Sequence, residues 1–188
     1  DGFIQKYSRD GKLLLQIGVK GKVDSEDGSV KSRFLNASPV AFYSPTQVAV
    51  DPVNGDVFVA DGYGNKRVVV FDKTGKFLRQ WGRQGTTADA AAGVGGAFVN
   101  IVHCIVMGND GLLYVCDRNG DRIQVFDKRT AGTTDCQNPT GTPGVCGFVG
   151  EFFVATDTLG PGSTWDIDVS PDNRQKFLYN ADGSNNYV

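Results

Sequence analysis

The sequence predicts an all-β fold, a β-propeller made of four-stranded blades, and this prediction depends on a repeated stretch. Residues Phe58–Gly82 read as three short strands separated by a polar turn and a glycine turn. Their second half recurs in Phe3–Gly18, and their first half recurs in Tyr114–Lys128 and Leu178–Val188. Repeats of about 40 residues that each supply four strands are typical of propeller blades.

The composition agrees with a protein of many tight turns and no long helices. The chain contains 25 glycines in 188 residues, which suits such a fold. Its 19 basic and 21 acidic residues form no block of like charge, so neither nucleic-acid binding nor a basic membrane patch is predicted. No apolar run approaches the roughly 18 residues that span a bilayer, and no transmembrane segment is predicted.

The first half of the chain is predicted to contain part of one blade and all of the next. Asp1–Gly18 matches Asn65–Gly82 without a gap, and its apolar residues alternate with the period of two of a β-strand. Residues 1–18 are therefore predicted to form the two outer strands of one blade. After a connector, residues 45–82 supply four short strands in meander order, which predicts a complete blade.

The second half is predicted to contain another complete blade and the start of a further one. Residues 101–154 form the complete blade, in which the cysteine loop 129–147 replaces the last tight hairpin. Residues 163–188 begin a blade and end where its third strand is expected. The Gly- and Ala-rich segment Arg83–Asn100, between the two complete blades, is predicted to be a loop, although its three consecutive alanines could form one helical turn.

The number of strands predicts only part of a propeller. Two, four, four and at most three strands amount to roughly half of a six-bladed ring. Half a ring would leave unpaired strand edges, which closed propellers avoid. We therefore expect residues 1–188 to be a single partial domain and a fragment of a longer chain. A start at Asp1 rather than Met agrees with this expectation, or with processing.

The four cysteines fall into two pairs. Cys136 and Cys146 bracket a polar loop rich in Pro and Gly, where a disulfide is the favoured interpretation. Cys104 and Cys116 lie on two runs joined by a short turn, and antiparallel pairing would place them roughly opposite each other. A cross-strand disulfide and two buried free thiols both fit that position. The even number of cysteines favours a periplasmic or extracellular location.

Several short motifs are more specific than the repeat itself. Pro45–Gly82 includes the turn DGY and ends in QWG, and the next blade contains VHC at Val102–Cys104 and the run CDRNGDRIQVF. In these motifs the chain resembles NHL-type propeller blades. Within that superfamily it resembles the lyase domain of peptidylglycine α-amidating enzymes and the related bacterial six-bladed proteins. The resemblance covers residues 1–128 and, more loosely, residues 163–188.

The resemblance implies an active site around a divalent metal on the propeller axis, usually zinc, with calcium as a further candidate. Three histidines hold this metal in the family, and the motif match makes His103 one of them. The match also makes Tyr63, in the DGY turn, the candidate base and Arg118 the group that binds a substrate carboxylate. These roles suit the residue types, because zinc favours imidazole ligands and arginine can bind a carboxylate through two hydrogen bonds.

The implied metal site is incomplete in this sequence. His103 is the single histidine of the chain, and Thr46 and Trp165 occupy the corresponding positions of the neighbouring blades. The other two metal ligands are therefore expected outside residues 1–188. Trp165 has an axial position, where it is a candidate to line a pocket or to fill the channel.

Each of the candidate site residues also has a purely structural interpretation. His103 could be an ordinary structural histidine, Tyr63 an exposed turn residue, and Arg118 the partner of a nearby aspartate, Asp117 or Asp121. Aspartates recur at one position of three blades, and arginines follow two of them, so these residues are predicted to cap turns and to pair with each other. They are Asp61, Asp117, Asp182, Arg67 and Arg122.

Two functions of different classes remain open. The first is an exported, metal-dependent enzyme that resembles an amidating lyase and cleaves a C–N bond in a carbinolamide or peptide-like substrate. The second is a non-catalytic propeller that binds a ligand or a protein, since one fold hosts many unrelated functions. The expected partner is thus a small-molecule or peptide substrate, or a protein, and not a nucleic acid.

Overall fold

The computed structural model describes residues 2–24, 36–133, 145–158 and 160–185. These residues form an all-β fold of consecutive sheets, all antiparallel except one short parallel pair of strands, which confirms the fold class. The first sheet is a hairpin of two strands, β1 (Phe3–Tyr7) and β2 (Leu13–Gly18).

The second sheet is a complete four-stranded meander in which each strand pairs with the next along the chain. Its strands are β3 (Pro45–Val50), β4 (Val57–Asp61), β5 (Arg67–Phe71) and β6 (Phe77–Trp81). All residues of β5 are buried, because neighbouring blades cover this inner strand on both faces. Its uninterrupted apolar run, Val68–Phe71, is the pattern expected of such a strand.

The segment between the two complete blades is more ordered than the sequence predicted. Two short parallel strands, β7 (Arg83–Gln84) and β8 (Ala97–Phe98), flank a helix, α1 (Thr87–Ala91). The Thr86 hydroxyl accepts a hydrogen bond from the Asp89 N–H, and the Asp89 carboxylate accepts one from the Thr86 N–H. The prediction of a loop was wrong, because this capping box supports a helical turn of alanines.

The third sheet is again a four-stranded meander, and a two-stranded sheet follows it. The third sheet consists of β9 (Val102–Met107), β10 (Leu112–Asp117), β11 (Arg122–Asp127) and β12 (Phe148–Phe153). A 3-10 turn, Arg118–Gly120, joins β10 to β11. The last sheet pairs β13 (Asp166–Val169) with β14 (Leu178–Ala181). No helix in the described part of the chain is long and apolar enough to cross a membrane.

The first strands of three successive sheets, β3, β9 and β13, lie side by side. Gln47 of β3 connects them, because its side-chain oxygen accepts a hydrogen bond from the Ile105 N–H at 2.6 Å and its amide donates to Asp166 at 2.9 Å. A cleft of about 420 Å³ lies between these strands. This arrangement of first strands around a common cleft is that of propeller blades around their axis.

The hydrophobic core lies between blades rather than within one sheet. The largest cluster joins the second and third sheets, where the ring centroid of Phe126 lies 5.4 Å from that of Trp81 and 5.7 Å from that of Phe148. A second cluster joins β2 to the second sheet around Ile17 and Phe71. Consecutive blades are therefore held together by apolar packing.

The recurring aspartates and arginines are structural, as predicted. Asp61 pairs with Arg67 at 3.0 Å, and Asp117 pairs with Arg122 at 2.9 Å, all four side chains being buried. Both aspartates also accept a backbone N–H, and so does Asp182 in the last sheet. Burial raises the pKa of Asp61, and it raises the pKa of Asp117 to about 6 although the charge of Arg122 lowers it.

The cysteines of the third sheet form the cross-strand bridge that the sequence left open. Cys104 of β9 and Cys116 of β10 are disulfide-bonded, with their Cα atoms 4.9 Å apart. Cys146, just before β12, is also disulfide-bonded. Its expected partner, Cys136, lies outside the described residues.

Candidate active site

Four side chains from separate turns and strands meet beside the first residues of β9 and β13. Tyr63 lies in the turn between β4 and β5, His103 in β9, Arg118 in the 3-10 turn after β10, and Trp165 just before β13. The ring centroid of His103 lies 5.8 Å from that of Tyr63 and 5.5 Å from that of Trp165. The structure therefore brings together all the candidate residues taken from the motifs, and we call them the Tyr63 cluster.

The turn that carries Tyr63 lies directly against the beginning of β9. Gly62 contacts the backbone of Val102 so closely that a Cβ atom at Gly62 would overlap it. Gly64 contacts the ring of Tyr43 in the same way, and its N–H donates to the Tyr43 carbonyl at 2.9 Å. The two glycines of the DGYG motif are thus required by close approach, and they allow the Tyr63 side chain to reach His103.

The orientation of His103 follows from its two ring nitrogens. Nδ1 lies within hydrogen-bond distance of the Trp165 carbonyl oxygen, which can only accept, so Nδ1 carries the proton. Nε2 of the neutral ring therefore holds a lone pair, and it lies 3.4 Å from the Tyr63 hydroxyl oxygen. Burial lowers the pKa of His103, and the charge of Arg118 lowers it further against the opposing effects of the Trp165 carbonyl and Asp166. The imidazole is thus neutral at pH 7.

Arg118 is a buried guanidinium with open hydrogen-bonding capacity. Its Cζ lies 4.2 Å from the ring centroid of Trp165 and 5.9 Å from that of Tyr63, which gives a cation–π stack. Nε donates to the carbonyl oxygen of Pro161 at 3.1 Å. Among the described residues, the two Nη atoms have no hydrogen bond and no carboxylate lies within ion-pair distance. These Nη atoms can therefore bind an anion.

The salt bridge considered for Arg118 is not formed. Asp117 lies opposite Arg122 in the β10–β11 register and pairs with it instead. Asp121 adopts a left-handed conformation and accepts the Ser163 N–H at 2.9 Å. Nearness in sequence was misleading here, because the β10–β11 register pairs Asp117 with Arg122 and the Asp121 carboxylate accepts the Ser163 N–H.

Trp165 belongs to the Tyr63 cluster, and two of its contacts within the cluster were not predicted from the sequence. Its carbonyl group orients His103, and its ring stacks on Arg118. The indole N–H donates to the Gly162 carbonyl at 2.9 Å and to the Ser184 hydroxyl at 3.1 Å, which fixes the ring. The carbonyl contact to His103 could not be predicted from the sequence, because every residue has a backbone carbonyl group.

The described residues supply one candidate metal ligand, His103, and no complete metal site. No group of three or more His, Cys, Asp and Glu side chains that could hold a metal ion occurs among them. The His103 Nε2 lone pair fits one coordination position, with Nδ1 held by a carbonyl as is common for metal-binding histidines. Thr46 uses its hydroxyl to bridge the carbonyls of Ala60 and Val102, at 3.0 and 2.8 Å.

Comparison with known proteins identifies the repeat and a group of enzymes. Residues 42–71 match the family model of the NHL repeat. The chain is 42% identical over 90 residues to peptidyl-glycine alpha-amidating monooxygenase B of Xenopus laevis, which is 47% of this chain and 10% of the relative. It is 35% identical over 121 residues to peptidyl-alpha-hydroxyglycine alpha-amidating lyase 1 of Drosophila melanogaster, 62% of this chain and 19% of the relative.

A third relative carries no activity in its name. NHL repeat-containing protein 3 of Homo sapiens is 33% identical over 129 residues, 68% of this chain and 32% of the relative. The chain therefore spans between a tenth and a third of these relatives. Its repeats are NHL-type propeller blades, and it resembles the amidating lyases, as its motifs indicated.

Proposed function

We propose that the protein is a lyase that cleaves the C–N bond of a carbinolamide-like substrate bearing a carboxylate. The proposal rests chiefly on one observation, the convergence of the Tyr63 hydroxyl, the unprotonated Nε2 of His103 and the Nη atoms of Arg118, which have no hydrogen bond among the described residues. The similarity to peptidyl-alpha-hydroxyglycine alpha-amidating lyase 1 supports the reaction class.

In this proposal Arg118 binds the substrate carboxylate through its two Nη atoms, which orients the carbinol carbon towards Tyr63. The Tyr63 oxygen takes the proton of the substrate hydroxyl as the Tyr63 proton passes to Nε2 of His103. The substrate C–O bond becomes a carbonyl and the C–N bond breaks. The nitrogen takes up the electron pair and a proton, which His103 returns through Tyr63, so that both residues regain their starting states. The products are an amide and a 2-oxo acid, with no oxidant consumed.

In an alternative version of the proposal, Nε2 of His103 binds a divalent metal instead of accepting the Tyr63 proton. Nε2 can bind zinc or another divalent metal, which would polarise the substrate oxygen. Calcium favours oxygen ligands, so His103 points to zinc rather than calcium. Because one lone pair cannot bind a metal and accept the Tyr63 proton together, metal analysis of the protein and of His103→Ala distinguishes these two roles.

The experiment is a turnover assay with a peptidyl α-hydroxyglycine, followed by the release of glyoxylate. Tyr63→Phe is expected to lower kcat by about 100-fold or more, since it removes the proton acceptor. Arg118→Lys is expected to raise KM, with the loss confined to substrates that carry the carboxylate. Tyr7→Phe, at an exposed tyrosine of β1, is the matched control. Unchanged turnover in both site variants would refute the roles of Tyr63 and Arg118. No turnover by the wild-type protein would leave the second candidate, a non-catalytic scaffold, which the match to NHL repeat-containing protein 3 leaves open.

We further propose that the protein is exported. The Cys104–Cys116 disulfide supports this, because such bonds persist in oxidising compartments. Fractionation of the source cells tests the proposal, and recovery of the protein from the cytosol with both thiols reduced would contradict it.

A further inference from the structure

Lys66, which follows the Tyr63 turn, is completely buried although lysine is almost never found in that environment. Its ammonium lies among the carbonyl oxygens of the turn itself. The Nζ atom lies within hydrogen-bond distance of the carbonyl oxygens of Asn65 (2.9 Å), Gly62 (3.0 Å), Tyr63 (3.2 Å) and Gly64 (3.4 Å). Four consecutive carbonyl groups therefore converge on one charge.

This arrangement needs a cation in the centre of the turn. The dipoles of buried carbonyl groups that converge on one point repel each other unless a hydrogen-bond donor lies between them. The three N–H bonds of the Lys66 ammonium supply such donors. Burial lowers the pKa of Lys66 to about 8, against the charges of Asp61 and Asp117, so the side chain is an ammonium at neutral pH. The Asn36 amide holds the Lys66 backbone, accepting from its N–H at 3.0 Å and donating to its carbonyl at 3.2 Å.

The turn held in this way is the one that brings Tyr63 to His103. Tyr63 contributes one of the four carbonyls, and Gly62 packs on Val102, the residue before His103. Tyr63 is half exposed, and apart from its ring contacts with His103 and Arg118 its position depends on the backbone of the turn. We propose that Lys66 is a positioning residue, whose buried ammonium gathers the carbonyls of the turn and thereby holds the Tyr63 hydroxyl against His103.

The test follows the imidazole of His103 by NMR in protein labelled at histidine, with the signal assigned from its loss in His103→Gln. Tyr63→Phe removes the hydroxyl that contacts Nε2 of His103, and the resulting change in the chemical shift of His103 is the reference for loss of this contact. Lys66→Met, of similar length but without charge, is expected to give at least half that change in the same direction. The double variant is expected to match Tyr63→Phe alone. Lys76→Met, at an exposed lysine of the same blade, is expected to leave the signal unchanged.

A His103 signal that stays at its wild-type position in Lys66→Met would overturn the inference, and so would a signal that does not respond to Tyr63→Phe. Should Lys66→Met not fold, Lys66→Gln replaces it, because its amide still donates two hydrogen bonds into the turn. Failure of both variants to fold while Lys76→Met folds would show a purely structural role and contradict positioning.

A role of Lys66 in catalysis rests on the proposed lyase function. The expected NMR result does not depend on that function. If the lyase assay succeeds with wild-type protein, Lys66→Met is expected to lower kcat by about 10- to 100-fold with little change in KM, as for a misplaced catalytic group. A wild-type protein without turnover would refute the lyase but leave the NMR outcome valid.

Discussion

The carbonyl oxygen of Trp165 accepts a hydrogen bond from Nδ1 of His103, and this contact joins two successive blades. It determines which ring nitrogen carries the proton, and so which one faces Tyr63. The same tryptophan stacks its ring on Arg118. Trp165, the residue before β13, thus sets both the tautomer of His103 and the position of the Arg118 charge beside it.

The pKa of His103 should depend on Arg118. The ring is expected to titrate below its ordinary value of 6.5, because burial and the guanidinium both disfavour the imidazolium. Arg118→Met is expected to raise the midpoint measured by NMR, with Arg9→Met, an exposed arginine of the first sheet, as control. A midpoint that is unchanged or lower in Arg118→Met would contradict this account.

The same shift has a consequence for stability. Since the folded-state pKa of His103 lies below 6.5, the unfolded chain binds more protons as the pH falls through that value. The contribution of His103 to stability is therefore present above pH 6.5 and is lost as the pH falls through the folded pKa. Comparison of urea denaturation of wild-type protein and His103→Gln between pH 5 and pH 8 measures it.

Gly62→Ala should destabilise the protein, because the new Cβ atom would overlap the backbone of Val102. The expected loss is about 1–3 kcal/mol, which is typical of overpacking that forces the backbone to shift. Gly150→Ala is the matched control, since a Cβ atom there meets no atom within 4 Å. Urea denaturation of both variants tests the prediction. Equal free energies of unfolding for Gly62→Ala and Gly150→Ala would show that the backbone of the turn shifts to accommodate the Cβ atom at little cost.

Arg122→Met should be strongly destabilising at pH 7, because it leaves the buried carboxylate of Asp117 without its partner. The expected loss is about 3–5 kcal/mol. It should be smaller at pH 5, where Asp117, whose pKa burial raises to about 6, is protonated. Asp117→Asn added to Arg122→Met should recover part of the stability at pH 7.

The control for this prediction is Arg129→Met, which removes the exposed partner of Asp127 and should have no measurable effect. A loss in Arg122→Met that does not vary with pH would indicate that packing, rather than the unpaired charge, is responsible.

Replacing both cysteines of the third sheet, as Cys104→Ala with Cys116→Ala, should lower the free energy of unfolding by about 2–4 kcal/mol. The bond closes a short loop between the strands that precede Arg118 and include His103. Urea denaturation without reductant measures the loss. A double variant as stable as wild-type protein would mean that the register of β9 and β10 needs no covalent support.

Local and repeated features were open to prediction from the sequence. The pairing of Asp61 with Arg67 and of Asp117 with Arg122 followed from their recurrence, because a position repeated in every blade serves what all blades share. The helix α1 was missed, since its capping box at Thr86 and Asp89 lies in a segment without apolar periodicity. The prediction of a single partial domain over residues 1–188 stays a prediction.

By itself, the sequence determined the strands, the blade repeat and the motifs that carry Tyr63, His103 and Arg118. These depend on alternation and turn chemistry, which act between residues close in the chain. Only the tertiary structure decided that the three side chains meet, that Arg118 stays unpaired within the described residues, and that Trp165 and Lys66 support the site. The reason is that blades contact one another through sheet packing, so contacts between them depend on strand register and backbone carbonyls that leave no pattern in the residues.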